Sequence, residues 1–525
     1  MTVGLREAVM VWGEISGFVR QFLDVAAALL VFCFGVGVLA VVWMWVVDRT
    51  QTRQTIRRNF PVIGRFRYFF EHMGEFFRQY FFAQDREELP FNRAQRSWAY
   101  RAAKNVDNTV AFGSTRNIHE RGAILFLNCP YPTLDEDAVS PEALTFGPYC
   151  AQPYATASIV NISGMSYGAL SAPAVRALSR GAKAAGCWMN TGEGGLSPHH
   201  LEGGCDIVFQ IGTAKYGVRE LDGQLSDDRL RTIAAHPQVR MFEIKLSQGA
   251  KPGKGGILPG VKVSAEIAAI RGIRAGHDSI SPNRHPEITC EDDLLDMIAR
   301  VREVTGKPVG IKAVMGAHGW LDRVFEAVHR RGIESAPDFI TVDGAEGGTG
   351  AAPLPLIDMV GLSLREALPL VVDKLTEHGL RERVRVIASG KLMVPGQVAW
   401  ALCMGADVAV TARGFMFALG CIQALQCNRN TCPTGITTHD PDLQRGLDPT
   451  DKATRVAHYH HNLTHEVEII AHACGVASPR GLRRYHAREI QETGRSVPLD
   501  ELFPVSVVRR AATPEGRTGN TASSS

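Results

Sequence analysis

The spacing of apolar positions changes along this chain, and each change marks an element. From Val25 to Val47 they run unbroken and uncharged, VAAALLVFCFGVGVLAVVWMWVV, long enough for a helix to cross a hydrocarbon core of ~30 Å. A secretory signal would have a shorter apolar core of about 7–15 residues and a small-residue cleavage site. Here the run ends at Asp48-Arg49, so it predicts a transmembrane helix. From Asn59 to about Ala111 the spacing is near-helical, beginning with aromatics and arginines (FRYFFEHMGEFFRQYFF). That predicts an amphipathic helix lying either along a membrane surface or against the globular body.

From about Ser158 short β-branched runs alternate with Gly-containing loops and helical stretches. The candidate strands are Ser158–Ile162, Cys187–Asn190, Ile207–Ile211, Met241–Leu246, Val309–Val314, Phe339–Val342, Val384–Ala388 and Val408–Thr411. Another short run, Asp278–Ser281, leads straight into Pro282 and belongs to a long loop. Eight βα units over about 250 residues predict an α/β chain built on a (β/α)8 TIM barrel, with a doubly wound sheet as the rival. The organisation that follows is a flank at 1–24, the transmembrane helix at 25–47 and a juxtamembrane cover at 48–150. The barrel occupies 151–435, a helical segment 436–504, and a disordered tail 505–525 ends NTASSS.

Charge orients this scheme. Arg49, Arg53, Arg57, Arg58, Arg65 and Arg67 follow the apolar run and only Arg6 and Arg20 precede it, which places the C-terminal bulk in the cytoplasm as a single-pass protein of the cytoplasmic membrane. The net charge of +3 offers no footprint for nucleic acid. Eleven cysteines, an odd number and mostly isolated, fit a reducing compartment. No Walker loop is present. The match Gly35, Gly37, Ala40 to a dinucleotide fingerprint lies inside the apolar run, where no strand precedes it. Any electrons therefore come from an external donor.

In a (β/α)8 barrel the loops after the strands build the site. Here they read GMSYG, TGEGG, SQGAKPGKGG, DGAEGGTG and SGK, glycine-rich enough to admit a flat or anionic ligand close to the backbone. Any one of these loops could be glycine-rich for its turn alone. Lys245 and Lys312 interrupt apolar strands in EIKLS and GIKAV; inward-facing, each needs a partner or a use. A cation such as Lys312 suits the N1–C2 edge of a flavin, where it would stabilise the reduced ring. After the last strand come Cys421, Cys427 and Cys432, spaced C-x5-C-x4-C and followed by Pro433. Such a run delivers thiolates to an iron–sulfur cluster, although familiar runs supply four ligands. Spacing alone leaves buried structural cysteines or a disulfide open. His461 and His465, an i, i+4 pair, have no acidic third ligand placed by motif and read as a polar helix face.

The segments GMSYGALS, NTGEGG, QIGTAKYGV, EIKLSQGAKPGKGG, SPNRHPEI, DGAEGGTGAAP and GCIQALQCNRNTCPTG resemble, in order and spacing, the synthase domain of glutamate synthases, in particular stand-alone, membrane-anchored members. The resemblance covers roughly Asn59 to Arg484. It implies a barrel that binds FMN beside a [3Fe–4S] cluster held by Cys421, Cys427 and Cys432. It implies that ammonia and 2-oxoglutarate condense to 2-iminoglutarate, which reduced FMN converts to L-glutamate with electrons from a donor such as ferredoxin. By matching motif positions, Lys251 holds the keto acid's carboxylate, with Lys245 and Gln210 near flavin or substrate. Gly347, Gly348, Gly390, Arg413 and Gly414 surround the ribityl phosphate, and Thr349 and Thr411 complete the expected cofactor-binding set.

This sequence also departs from the family pattern. Larger members begin with an amidotransferase domain whose N-terminal Cys releases ammonia from glutamine, whereas this chain begins Met1-Thr2. Lys254 stands where an acidic residue is usual, and the SPNRHPEI loop keeps His285 but not its neighbours in the larger enzymes. Another amine is therefore a possible substrate, as in an N-methylglutamate synthase-type transfer. An electron-transfer protein without amination is the reading from a different class.

Overall fold

The computed structural model describes residues 3–507, apart from the side chains of 3–16 and 75–76. The tail expected from 505 onward lies, beyond 507, outside the described residues. The chain divides between Ala94 and Gln95 into two compact units.

The first unit begins with a single helix, α1 (Val3–Thr50). Its stretch Gly17–Thr50, 34 residues whose most apolar 18-residue window has a mean hydropathy of 2.8, is long and apolar enough to cross a membrane, and none of that window is buried by protein. A short helix, Thr55–Asn59, and α2 (Gly64–Phe77) follow it.

The second unit is a closed barrel of eight parallel strands. They are β1 (Val160–Ile162), β2 (Met189–Asn190), β3 (Ile207–Ile211), β4 (Val239–Lys245), β5 (Val309–Ala313), β6 (Phe339–Asp343), β7 (Arg385–Ser389) and β8 (Val408–Thr411). Each expected strand is present within about two residues. Closure comes from β8 pairing with β1, Ala409 opposite Val160 and Thr411 opposite Ile162. Residues Ser279–Ile280, expected as loop, form a two-residue strand outside the barrel that pairs with Ile257–Leu258.

Strand register sets what fills the barrel. Because side chains alternate between faces, Trp188, Val208, Met241, Phe339, Ile387 and Val408 meet inside near the strands' N-terminal ends. An antiparallel hairpin, Leu144–Phe146 with Tyr154–Thr156, closes that end. It inserts Phe146 edge-on against Trp188 and Phe339, both with ring centroids 5.8 Å away. Gly310 of β5 makes room for this plug, since a Cβ there would fall 2.4 Å from the Phe339 ring.

C-terminal to the barrel, the 25-residue helix α3 (Pro449–Ala473) packs on the first barrel helix, Ala172–Ala185. Gly181 allows the approach, because a Cβ there would lie 2.4 Å from Val456. The segment expected to be helical also holds a hairpin, Ala487–Ile490 with Ser496–Pro498, whose first strand pairs with Ile124–Phe126. Its turn is carried by Gly494 at φ 75°, and strands of three and four residues with mixed polarity leave little periodic signal.

Replacing Trp188 with alanine should leave a cavity between plug and strands and cost about 3–5 kcal/mol. Urea unfolding of the full chain, followed by far-UV circular dichroism, should show a lower midpoint with an unchanged slope.

Candidate active site

The inward positions change character toward the strands' C-terminal ends. Glu243 of β4 is buried; its Oε1 accepts hydrogen bonds from Asn190 Nδ2 (2.8 Å) and Gln210 Nε2 (2.7 Å), and its Oε2 accepts one from Thr341 Oγ1 (2.6 Å). On the next strands Lys312 pairs with Asp343 at 3.5 Å. Asp343 also accepts from Ser389 Oγ (2.6 Å) and from the Gly249 backbone N–H (2.9 Å). A buried charge without partners would cost several kcal/mol. Here donors from β2, β3, β5, β6 and β7 and from the loop after β4 surround the carboxylates, so the layer is satisfied.

Above it lies a cleft of about 870 Å³, open to solvent. Of the residues expected from sequence, Gln210, Lys245, Gly348, Thr349, Arg413 and Cys427 line it. Lys312 lies in the layer below, facing a smaller interior space with Glu243 and Thr341. Lys251, Gly347, Gly390, Thr411, Gly414, Cys421 and Cys432 do not contribute to the cleft wall.

Glu193, from the loop after β2, organises the cations. Its Oε2 is 3.2 Å from Lys245 Nζ, and Lys245 also donates to Gln248 Oε1. Burial acts to raise the Glu193 pKa, but the ammonium groups of Lys245 and Lys251 outweigh it and hold the carboxyl below its ordinary range. Burial pushes Lys251 down to about 8; Glu193 opposes that shift, while Lys245 and Lys254 add to it. His285 donates from Nε2 to the Lys245 carbonyl at 3.1 Å, and burial drops its pKa to about 4, so the ring is neutral at pH 7.

The glycines divide into two groups. A Cβ would fall 1.9 Å from the Gly344 carbonyl at Gly249, 2.3 Å from Glu193 Oε1 at Gly256 and 2.0 Å from the Tyr459 hydroxyl at Gly414. These positions are glycine because loops pack on one another. Gly390 likewise sits against Leu364, and the Gly347 N–H is spent on the Gly344 carbonyl at 3.0 Å. Gly348 and Gly350 are different: a Cβ there would meet only the Arg413 guanidinium or Cys427 at 3.5 Å and beyond.

Two further features of the cleft fit an anionic, hydrogen-bonding ligand such as FMN. Arg413 donates to Met416 Sδ at 3.6 Å and pairs with no carboxylate among the described residues. Thr437 Oγ1, which also borders the cleft, is buried with only the Cys432 thiol as a hydrogen-bonding neighbour.

All three cysteines of the C-terminal loop are free thiols, and Cys421 lies within electrostatic reach of both Cys427 and Cys432. No Asp or Glu occurs between Cys421 and Gly435. Three thiols without a competing carboxylate fit a thiolate-held cluster, whose ligands stand farther apart than those of a single ion. Among the described residues no three His, Cys, Asp or Glu side chains converge as a single-ion site. His461 and His465 stack with ring centroids 6.3 Å apart on α3. Lys262, buried, joins the cysteine loop to the cleft by donating to the Ala169 carbonyl (2.9 Å) and the Cys427 carbonyl (3.3 Å).

Sequence reading singled out the lysines and missed their counter-charges. Glu243 stands two positions before Lys245 in MFEIKLS, and strand alternation alone puts both on the inner face. Glu193 lay in a loop noted only for its glycines. Asp343 could have been found as the last inward position of β6. Lys262, in LPGVKVS, gave no local signal.

Fold and site together define a barrel that carries its chemistry at the C-terminal rim, in a cation-lined cleft with thiols at its edge. Residues 139–477 match the conserved region in glutamate synthase. The chain is 39% identical over 518 residues to the glutamate synthase large subunit-like protein YerD of Bacillus subtilis, covering 91% of this chain and 98% of that one. It is 37% identical to the archaeal glutamate synthase (NADPH) of Methanocaldococcus jannaschii, over 62% of this chain and 60% of that one. Identity with a glutamate synthase large subunit-like protein of Rhizobium meliloti is 33%, over 60% and 71%. The chain belongs to the glutamate synthase family of oxidoreductases.

Replacing Glu193 with glutamine should lower the Lys251 pKa below its present value of about 8, by about one pH unit, because the charge opposing burial is removed. Competitive acetylation read by peptide mass spectrometry across pH 6–10 would show the midpoint move down. An unmoved midpoint would mean that Glu193 does not control Lys251.

Proposed function

We propose that this protein reductively aminates 2-oxoglutarate with ammonia to L-glutamate, drawing electrons through an iron–sulfur cluster and FMN from an external donor such as ferredoxin. The observation that carries the reading is one cleft that holds Lys245, Glu193 and Arg413 and reaches Cys427, in a chain of the glutamate synthase family. The overall change is 2-oxoglutarate, ammonia, two electrons and two protons to L-glutamate and water.

Gln210, Gly348, Thr349 and Arg413 would hold FMN, with the Arg413 guanidinium matched to a phosphate, and Cys421, Cys427 and Cys432 would hold the cluster. When bound, these groups would supply a hydride to the imine carbon and single-electron transfer to the flavin, respectively. The chain's own residues do the rest. Lys251 lies behind the cleft wall; its assignment, as an ammonium, to a carboxylate of the keto acid rests on the family motif alone. Lys245 Nζ, held 3.2 Å from the Glu193 carboxylate, donates the proton with which the oxygen of 2-oxoglutarate leaves as water, and takes its replacement from solvent in the open cleft. Neutral His285 fixes the backbone of Lys245. Gly17–Thr50 anchors the catalytic unit at the cytoplasmic face of the membrane.

Purified full-length protein should show flavin absorption bands and, when oxidised, the electron paramagnetic resonance of a three-iron cluster. Cys427→Ser should abolish the resonance and keep the flavin bands. Protein with both cofactors, reduced donor, ammonia and 2-oxoglutarate should form glutamate; absence of turnover would overturn the reading, and turnover only with methylamine would reassign the amine.

Lys251 should also set a pH limit. Its ammonium is present below about 8 and lost above it, so kcat/KM for 2-oxoglutarate should fall as pH rises through that value. Lys251→Met should lower kcat/KM roughly 100-fold at pH 7 and remove the limb.

A further inference from the structure

Residues 48–83 take no part in the cleft, yet they contain a locked turn followed by an exposed apolar stripe. Asp48 at the end of α1 is fully buried. Its Oδ1 accepts from Arg57 Nε (2.9 Å) and Nη2 (2.5 Å) and from Arg65 Nη2 (2.8 Å), while Oδ2 accepts from Arg65 Nε (2.7 Å) and the Val62 N–H (3.0 Å). Val62 has φ 66°, a conformation β-branched residues avoid, and its N–H is held by that carboxylate. Gly64 follows where a Cβ would fall 2.9 Å from the Ile56 carbonyl. These contacts form an elbow that sets the direction of α2 relative to α1.

On α2 the positions Phe66, Phe69, Phe70 and Phe77 share one face. They are exposed, Phe70 to 63%, and Phe81 beyond them to 68%. The rings pack on each other, Phe69 with Phe70 at 5.4 Å and Phe77 with Phe81 at 5.5 Å. Between 48 and 83 stand seven arginines against Asp48, Glu71 and Glu75; Asp48 holds Arg57 and Arg65, and Glu71 pairs with Arg67.

We infer that Gly64–Phe82 lies on an anionic membrane leaflet, its phenylalanines in the headgroup–acyl boundary and the arginines of 49–83 that Asp48 does not hold among the phosphates, aimed there by the Asp48 elbow. The inference rests on reading Gly17–Thr50 as a membrane span. Two observations choose the lipid surface as occupant: the stripe begins at Phe66, 19 residues after the apolar run ends at Val47 and joined to it through the elbow, and the cationic excess matches anionic headgroups. Long arginine side chains can reach phosphates while their stems stay beside apolar rings.

The test uses the full-length protein with Phe70→Trp, reconstituted in vesicles of phosphatidylcholine and phosphatidylglycerol whose acyl chains carry bromine near the headgroup. Emission added by the substitution should fall roughly two-fold relative to unbrominated vesicles, less so in pure phosphatidylcholine or at high salt. Trp43 and Trp45 on α1 report the span in the parent protein. If they are quenched and the indole at position 70 is not, the inference fails while the span stands; if neither is quenched, both fail. An unquenched indole in a protein that migrates as a dimer in detergent overturns the inference in favour of a second copy covering the stripe. Adding Asp48→Asn should weaken quenching at position 70 and leave Trp43 and Trp45 unchanged. Full quenching in that variant would overturn the role of the elbow.

Discussion

A closed barrel has no edge and no second face, so a charge pointed inward by one strand must be answered from another strand or from the rim. Glu243 and Asp343 are answered in this way, the first by donors from β2, β3 and β6 and the second by Lys312, Ser389 and the Gly249 amide. The rest of the site depends on that layer. Gln210 reaches the cleft with its amide already oriented by Glu243, and the loop after β4 is tied down at Gly249 before it carries Lys251 under the rim. A preorganised polar floor limits the reorganisation a bound ligand would require.

The same loops explain why glycine is so frequent at the rim. Gly249, Gly256 and Gly414 are places where one backbone or side chain crosses another too closely for a Cβ. Their effect on a ligand is indirect: close packing brings Glu193 between two lysines and leaves Gly348 and Gly350 as the open part of the wall. Electrostatics follows from this crowding. Burial disfavours the Lys251 ammonium, and the Glu193 carboxylate limits how far its pKa falls.

The N-terminal unit obeys a different constraint. In α1 apolar side chains face outward, the reverse of the barrel, and the buried group is the charge. Asp48 is satisfied by two guanidinium groups and a backbone amide, so a polar contact shapes this unit where hydrophobic burial shapes the other.

Much of this was determined by the sequence itself. The eight strands, their order and the apolar N-terminal run follow from local periodicity, which needs no partner to be read. The family motifs placed Gln210, Lys245, Gly348, Thr349, Arg413 and Cys427 on one rim, and the structure brings these six to one cleft. Tertiary structure alone decided the rest. Glu193 meets Lys245 across some fifty residues of chain, Lys262 reaches Cys427 across a far longer separation, and Gly414 is glycine because of Tyr459 on a helix beyond the barrel. Sequence carries the preference of each segment for strand, helix or turn, whereas the neutralisation of a buried charge depends on which distant segments meet, and only the closed barrel settles that.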